Sequence, residues 1–349
     1  MTDLNSDLLL VGDIGGTKTD LLIISAKLGM RAPLARARKK SADYANLAEM
    51  LQDFLTPTGL AVRHACLAVA GPVVDGRAQL TNLPWEVDGT TLRTALKLQA
   101  VDVLNDLAAI AYAVPALQHT DLVTLNAGAE LVYGTKAIIA PGTGLGEAFL
   151  IWNGQNYRPC PSEGGHADFA PPTQALEALL PYLRKRVGHV SYEWVCSGIG
   201  IPYLYDFFRD SGLADESPVF AAELAAAADR APLIIDRALE PRVRCPLCRA
   251  TLDAFIAILG AEAGNLALKV FALGGVYIAG GIPPRLLSVL NDGRLLNAFS
   301  DKGRFTDLLT RIPIWVVTNP DVAITGSAIY GLAHMKSLSP SSGFPDLAP

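Results

Sequence analysis

Twice in this chain an apolar run enters a glycine-rich turn and a second apolar run leaves it. The first instance spans Leu8 to Ser25 and turns through Gly12-Asp13-Ile14-Gly15-Gly16-Thr17. The second spans Lys136 to Asn153 and turns through Pro141-Gly142-Thr143-Gly144-Leu145-Gly146. Each pattern predicts two short buried strands joined by a tight hairpin. Two such hairpins about 130 residues apart predict a duplicated architecture, with one loop from each half facing a shared ligand. Glycine leaves backbone N–H groups bare, and a concavity of such groups suits phosphate oxygens. Thr17 and Thr19 add hydroxyls to the first loop. The competing reading is that the glycines serve only positive backbone dihedrals.

Two familiar phosphate motifs do not apply. Thr17 stands where a P-loop needs a glycine directly before its lysine, and the residues after the first loop form an apolar strand-like run, not the helix of a dinucleotide fingerprint. At 349 residues, two domains are expected, and 50% hydrophobic with 18% charged residues supports a large buried interior. A net charge of −5 argues against duplex DNA or an anionic membrane surface as partner. A polyphosphate ligand must then be held by loops, helix ends and a bound cation.

The N-terminal stretch carries Asp3 and Asp7 without a basic opening, and the charge-free run Val270 to Pro284 is short for a membrane span. A soluble intracellular protein is expected. Five cysteines, at 66, 160, 196, 245 and 248, do not form a disulfide framework. Cys245-Pro-Leu-Cys248 admits zinc binding or redox cycling. With no second Cys or His pair at finger spacing and no thioredoxin-like context, structural thiols are the preferred reading.

Along the chain, Arg31 to Lys40 reads as an exposed basic strand and turn, Tyr44 to Leu55 as an amphipathic helix, and Cys66 to Ala70 as a buried strand stopping at Gly71-Pro72. Leu80 to Trp85 reads as a loop and Thr90 to Leu98 as a helix. The order of strands and helices is α/β. Val101 to Asp106 is a strand ending in Asn105-Asp106, and Leu107 to Leu117 continues as a helix. A strand's carboxyl end is where such sheets present ligand-binding groups, although a helix cap would account for one residue of the pair.

From Cys160 to Pro172 the chain packs Glu163, His166 and Asp168 between glycines and prolines, a rigid loop better suited to polyol hydroxyls than to a metal. Taken alone, Glu193 reads as a solvated helix residue. Thr173 to Arg186, Ile201 to Asp210, Ala221 to Leu239, Thr251 to Leu273, Arg285 to Leu290 and Pro320 to Leu332 read as helices, Ile312 to Val317 as a strand and Ser337 to Pro349 as a loose tail. Val276 to Ala279 runs into Gly280-Gly281, where a nucleotide base and ribose could lie against bare backbone, or where the chain simply turns tightly.

Taken in order, Gly-Asp-Ile-Gly-Gly-Thr, Asn-Asp-Leu-Ala-Ala, Gly-Thr-Gly-Leu-Gly, Glu-Gly-Gly-His-Ala-Asp-Phe-Ala-Pro and Gly-Gly-Val-Tyr-Ile-Ala-Gly-Gly-Ile resemble the bacterial glucokinase family, over Leu8 to Leu332. That family belongs to the sugar-kinase, actin and heat-shock-chaperone ATPase superfamily. The resemblance implies a two-domain actin-like ATPase fold, a duplicated ribonuclease H-like α/β architecture with its active site in the interdomain cleft. It further implies a small domain over 1–117 completed by 318–336, a large domain over 118–317 and a tail over 337–349. The implied reaction is ATP-dependent phosphorylation of the glucose 6-hydroxyl, with Asp106 as general base. Asn105, Glu163, His166 and Glu193 would bind the other hydroxyls. Asp13 would sit near Mg²⁺ through water; the loop Gly12, Asp13, Ile14, Gly15, Gly16 and Thr17, with Gly142, Thr143 and Gly144, would cradle phosphates; Gly280 and Gly281 would border adenosine. A cytoplasmic homodimer acting in glycolysis, without nucleic-acid or membrane partners, completes the implication.

The sequence departs from the family pattern in the first loop, which reads Thr17-Lys18-Thr19-Asp20 where Thr-Asn-x-Arg is usual, so charge near the phosphates changes. Pro141 and Glu147 also depart from it. Alternatives are a kinase of another hexose, one using ADP or polyphosphate, and a sugar-sensing regulator of the same fold. A DNA-binding regulator is expected to need an added helix-turn-helix, and seven residues precede the first strand.

Overall fold

A computed structural model of the chain describes residues 7–80, 83–242 and 244–338. Contacts divide it into two compact units, one holding residues up to Leu117 and those from Asn319 onward, the other Gln118–Thr318.

The first unit opens with β1 (Leu8–Ile14), β2 (Lys18–Ser25), β3 (Ala35–Lys40), α1 (Leu47–Leu55) and β4 (His64–Val69). A small three-stranded sheet follows, made of β5 (Val73–Val74), β6 (Arg77–Gln79) and β7 (Glu86–Asp88), then α2 (Gly89–Ala95), β8 (Ala100–Asn105) and α3 (Asp106–Ala113). The main sheet has the order β3-β2-β1-β4-β8, with β1, β4 and β8 parallel and β2 antiparallel to both its neighbours. Both faces of β1 and β2 are covered, which is why their sequences are nearly continuous apolar runs. At the edge, β3 alternates and turns Arg36, Arg38 and Lys40 outward, charges that discourage pairing with another sheet. The stripe Leu47, Met50, Leu51 and Phe54 seats α1 on the sheet. Its start is capped from both sides: Asn46 accepts from the Glu49 N–H at 2.9 Å, while Glu49 reaches back to accept from the Ala45 N–H at 3.0 Å. Helix α3 stops at Ala113, short of the expected Leu117, because Pro115 tightens Val114–Ala116 into a 3-10 turn.

The second unit contains β9 (Leu122–Asn126), β10 (Lys136–Pro141), β11 (Leu145–Trp152), β12 (Tyr157–Ser162), α4 (Leu179–Val187) and α5 (Gly200–Asp210). After these come α6 (Pro218–Ala226), α7 (Ala231–Leu239), α8 (Pro246–Val270), β13 (Val276–Ile278), α9 (Leu287–Leu290), α10 (Arg294–Ser300), α11 (Thr306–Leu309) and β14 (Ile314–Val317). Its sheet runs β12-β11-β10-β13-β14-β9. The first five strands repeat the order and directions of β3-β2-β1-β4-β8, with β9 added antiparallel at the edge. The expected duplication is thus present as topology, and the two glycine hairpins occupy the same place in each sheet.

Several expected boundaries move, each for a local reason. Ala221 to Leu239 is two helices, not one: Ala227 is extended, the Asp229 carboxylate accepts the Ala231 N–H at 3.0 Å, and Pro232 lies in the first turn of α7. Thr173 to Arg186 divides into a turn at Gln174–Leu176 and α4. Cys160 to Ser162 belong to β12, so the rigid loop proper starts at Glu163. Helix α8 starts before the expected Thr251 and ends where Phe271 turns left-handed at φ 53°. By length and composition it could cross a membrane, yet 78% of its most apolar window is buried within the unit, as in a core helix.

The chain returns to the first unit as α12 (Val322–Leu338), which runs beyond the expected Leu332 and through Ser337. The rest of the expected tail, and Thr81-Asn82 of the expected loop, lie outside the described residues. Ile324 and Ala328 of α12 pack on Leu9, Val11, Leu22, Ile24 and Cys66 of the sheet. Gly326 rests directly on the Ala109 carbonyl of α3, where any Cβ would overlap that oxygen. This close approach fixes α3, and with it the residues at its N-terminus.

Candidate active site

In the first unit the carboxyl ends of β1, β4 and β8 lie side by side, with Ile14 beside Val69 and Val69 beside Asn105. Asn105 is both the last residue of β8 and the cap of α3. Its Oδ1 accepts the Leu107 and Ala108 N–H groups at 2.9 and 3.2 Å, and its Nδ2 donates to the Gly71 carbonyl at 2.9 Å. The cap therefore accounts for Asn105, which still has a second amide hydrogen to offer a hydroxyl. Asp106 is the first residue of α3, where the helix dipole favours a carboxylate; its Oδ1 accepts its neighbour's N–H at 2.8 Å.

The first glycine loop is pinned by Ser41, which sequence reading missed. The Ser41 hydroxyl donates to the Gly15 carbonyl at 2.7 Å, its N–H donates to the Thr17 carbonyl at 3.1 Å, and its Oγ lies 3.1 Å from the Thr19 hydroxyl. Gly12, Gly15 and Gly16 all lack positive φ, so the dihedral reading of this loop fails. Gly15 is needed because a Cβ would lie 2.8 Å from the Lys18 carbonyl oxygen, to which its own N–H is bonded at 3.1 Å. Gly12 and Ile14 prove to be strand residues: Gly12 makes room for Leu67 and Leu21, and the Ile14 side chain is fully buried. The loop able to meet an anion is thus Gly15 to Thr17, in which the Gly16 and Thr17 N–H groups have no acceptor among the described residues.

Asp13, at the end of β1, faces Asp20 across the hairpin. Burial, then the negative charges of Asp106 and Asp20, push its carboxyl up to about 6, with Lys18 working in the opposite direction. Asp20 stands where the family pattern has arginine. Its carboxylate is buried and takes a 2.7 Å ion pair from Arg38, its register partner on β3. The adjacent strand thus neutralises the carboxylate that stands in the arginine's place.

In the second unit the other glycine loop, Glu193 and the Gly280-Gly281 turn are contiguous. Glu193 Oε2 accepts the Leu145 N–H at 3.0 Å and lies against Gly144, where a Cβ would overlap it. The Gly198 and Ile199 N–H groups donate to the Gly142 and Thr143 carbonyls at 2.8 and 3.2 Å. Glu193 is therefore built onto the loop and is not a solvated helix residue. Gly280 takes φ 86°, and a Cβ there would overlap the Pro141 carbonyl oxygen; only glycine fits both demands. Open space surrounds the positions where Cβ atoms of Gly142 and Gly281 would stand.

The Glu163 and His166 side chains are exposed and 4.0 Å apart across the turn Gly164–His166. The segment behind them is held by backbone bonds from Phe169 to Val190 and from Tyr192 to Ala167, and His189 braces it at the His166 carbonyl (3.2 Å) and Asp168 (3.5 Å). Asp168 thus meets His189, and no cluster of three or more metal-ligating side chains exists among the described residues. Beneath the loop lies a second feature unseen in the sequence, although Glu147 had stood out as a departure. The Glu147 side chain is 1% exposed, presses on Gly164, and has an Oε1 without a hydrogen-bond partner. Burial and the charge of Glu262 raise it to about 8 against the pull of Lys269. Glu262, itself fully buried, accepts from Asn265 at 2.8 Å and Lys269 at 3.2 Å, and Asn265 also donates to the Tyr192 hydroxyl at 3.0 Å. At neutral pH the raised Glu147 carboxyl favours its protonated form against Gly164, and Asn265 ties the network to Tyr192.

The raised value at Asp13 sets a pH dependence. Its ordinary value is 3.8, so the folded chain holds the proton more tightly than the unfolded chain. Ionised Asp13 costs nothing below about pH 4 and its full penalty, at most about 3 kcal/mol and less for solvent screening, above about pH 6. In protein without nucleotide or divalent cation, Asp13→Asn is expected to raise the denaturant midpoint at pH 8 and to leave it unchanged at pH 4. A pH-independent loss of stability would contradict this account.

A family model described as Glucokinase matches residues 10–334. The glucokinase of Nostoc punctiforme is 42% identical over 338 residues, which cover 92% of this chain and 98% of that protein. The crystal structure of a glucokinase from an Antarctic psychrotroph aligns with a TM-score of 0.76 at 34% identity, over 93% of this chain and 98% of that one. A ROK family glucokinase from Streptomyces griseus, solved in complex with glucose and AMPPNP, aligns with a TM-score of 0.62 over 93% and 99% of the two chains; at 17% identity it speaks for the fold alone. Repeated sheet topology, strand-end residues and near-complete overlap with these relatives converge on the two-domain actin-like ATPase fold, and the chain belongs to the glucokinase family.

Proposed function

We propose that the protein transfers the γ-phosphoryl group of ATP to the 6-hydroxyl of glucose, giving glucose 6-phosphate and ADP. The observation that carries this reading is the neighbourhood of Asp106 and Asp13 at the ends of parallel strands, close enough for the charge of one to raise the pKa of the other. One carboxylate serves the acceptor hydroxyl and the other the cation that accompanies the phosphates. As the new P–O bond forms, the glucose hydroxyl gives its proton to Asp106, and the bond to the ADP oxygen breaks. Such transfer depends mainly on positioning and charge neutralisation.

The N–H groups of Gly16, Thr17, Thr143 and Gly144 are assigned to phosphate oxygens, and Gly280 and Gly281 to the adenosine. The second amide hydrogen of Asn105, with Glu163, His166 and Glu193, is assigned to the remaining sugar hydroxyls. Glu193 then has two tasks, since one oxygen already holds the loop at Leu145. Mg²⁺ fits this setting: the donor is a carboxylate, the surrounding charges of Asp106, Asp20 and Asp321 are negative, and no all-protein cage exists among the described residues. Magnesium keeps most of its waters and needs few protein ligands, so Asp13 would hold it and it would neutralise phosphate charge. The same reading places the protein in the cytoplasm, as a homodimer, at the entry of glucose into glycolysis.

Two variants test the roles. Asp106→Asn keeps the size and the acceptor for the Leu107 N–H but cannot take a proton; kcat should fall by roughly 10² to 10⁴ with glucose binding retained. Near-normal turnover would remove Asp106 as the base. Glu163→Gln leaves a hydroxyl poorly matched, at about 1–3 kcal/mol, and should raise the glucose KM by roughly 5- to 150-fold with little change in the ATP KM. The opposite split in steady-state kinetics would exclude the loop from sugar binding.

A further inference from the structure

We propose that Cys245 and Cys248 are a redox-active dithiol that exchanges reversibly with disulfides, a site separate from the residues assigned to sugar and nucleotide. Their Sγ atoms stand 3.0 Å apart, closer than two unbonded sulfurs ordinarily rest. The pair opens α8: Cys245 is its cap residue and Pro246 and Leu247 fill the first turn. A Cys-x-x-Cys at a helix start is an arrangement in which the helix favours a thiolate. The two thiols are unequal. Cys245 is half-exposed, whereas Cys248 is fully buried among residues of the unit's core. Burial, then the hydrogen bond and charge of Cys245, raise the Cys248 thiol, with Glu216 adding to this and Arg237 opposing it. Zinc is a poor fit, because two sulfurs are half a tetrahedral set and no group of three or more ligating side chains lies anywhere among the described residues.

The exposure fixes the order of events. The Cys245 thiolate attacks one sulfur of an external disulfide, forms a mixed disulfide and releases the first thiolate. Cys248, 3.0 Å away, then loses its proton and attacks Cys245 Sγ, expelling the second. Two protein thiols are oxidised, one external disulfide is reduced to two thiols, and the two protons leave with them. The co-reactant is a disulfide of the glutathione class. The four-residue ring closes a very short loop, so the bond adds little stability and stays open to reduction.

Oxidised glutathione is the probe, with Cys160→Ser throughout to remove the other half-exposed thiol. After equilibration of the folded Cys160→Ser protein, intact mass should show the loss of two hydrogens, and excess reduced glutathione should restore them. Cys245→Ser should abolish the change. Cys248→Ser should instead accumulate a glutathione adduct on Cys245, since nothing remains to resolve it. Two alkylatable thiols persisting at 245 and 248, or a stable adduct on the protein that retains both cysteines, would overturn the proposal.

Discussion

Asn105 does three things at once, and the end of the first unit that carries the proposed base depends on them. Its oxygen caps α3, its nitrogen ties β8 to the turn after β4, and its place as the last strand residue makes Asp106 the first helical one. Neither side chain could be moved by one position without exchanging their roles. The helix they begin is fixed from its other side by α12, whose Gly326 lies on the Ala109 carbonyl. A single hydrogen-bonded residue thus connects sheet, helix and the carboxylate assigned to proton transfer.

Around this frame the protein keeps carboxyl groups where an isolated fold would not. Asp13 sits among Asp20, Asp106 and Asp321, and Glu147 is buried against Glu262. Both are held above their ordinary range, chiefly by burial and then by like charges. Such groups weaken the fold and are retained where function needs them. At Asp13 the proposed explanation is a cation arriving with the phosphates; at Glu147 it is support for the turn that carries Glu163 and His166. Asp20 shows the reverse arrangement, a buried carboxylate satisfied by Arg38 from the next strand.

Much of this was legible in the sequence, and the exceptions have a common cause. The hairpins, the strand-end Asn105-Asp106 pair and the Glu163 to His166 turn are local patterns, carried by residues adjacent in the chain. Ser41, Arg38, Glu262 and His189 were not visible because their roles exist only across strands or between elements: Ser41 meets a loop 26 residues away, and the register of β2 and β3 brings Arg38 to Asp20. Glu193 misled for the same reason, since its partner is the Leu145 N–H, 48 residues distant. In the alanine-rich stretch from 221, a composition that favours one helix masks the stop and start signals at Asp229 and Pro232. Gly12 and Ile14 belong to the loop by sequence pattern alone, whereas pleat and packing assign them to β1.

The central claim is a specific bond: the γ-phosphorus of ATP to oxygen 6 of glucose. Incubating the purified protein with Mg²⁺, ATP and carbon-13-labelled glucose, and following both substrates by phosphorus and carbon NMR, tests it without a coupled enzyme. The account predicts one product, phosphorylated on oxygen 6, appearing in equal amount with ADP. A phosphate on another oxygen, or transfer from polyphosphate or ADP but not from ATP, would contradict it.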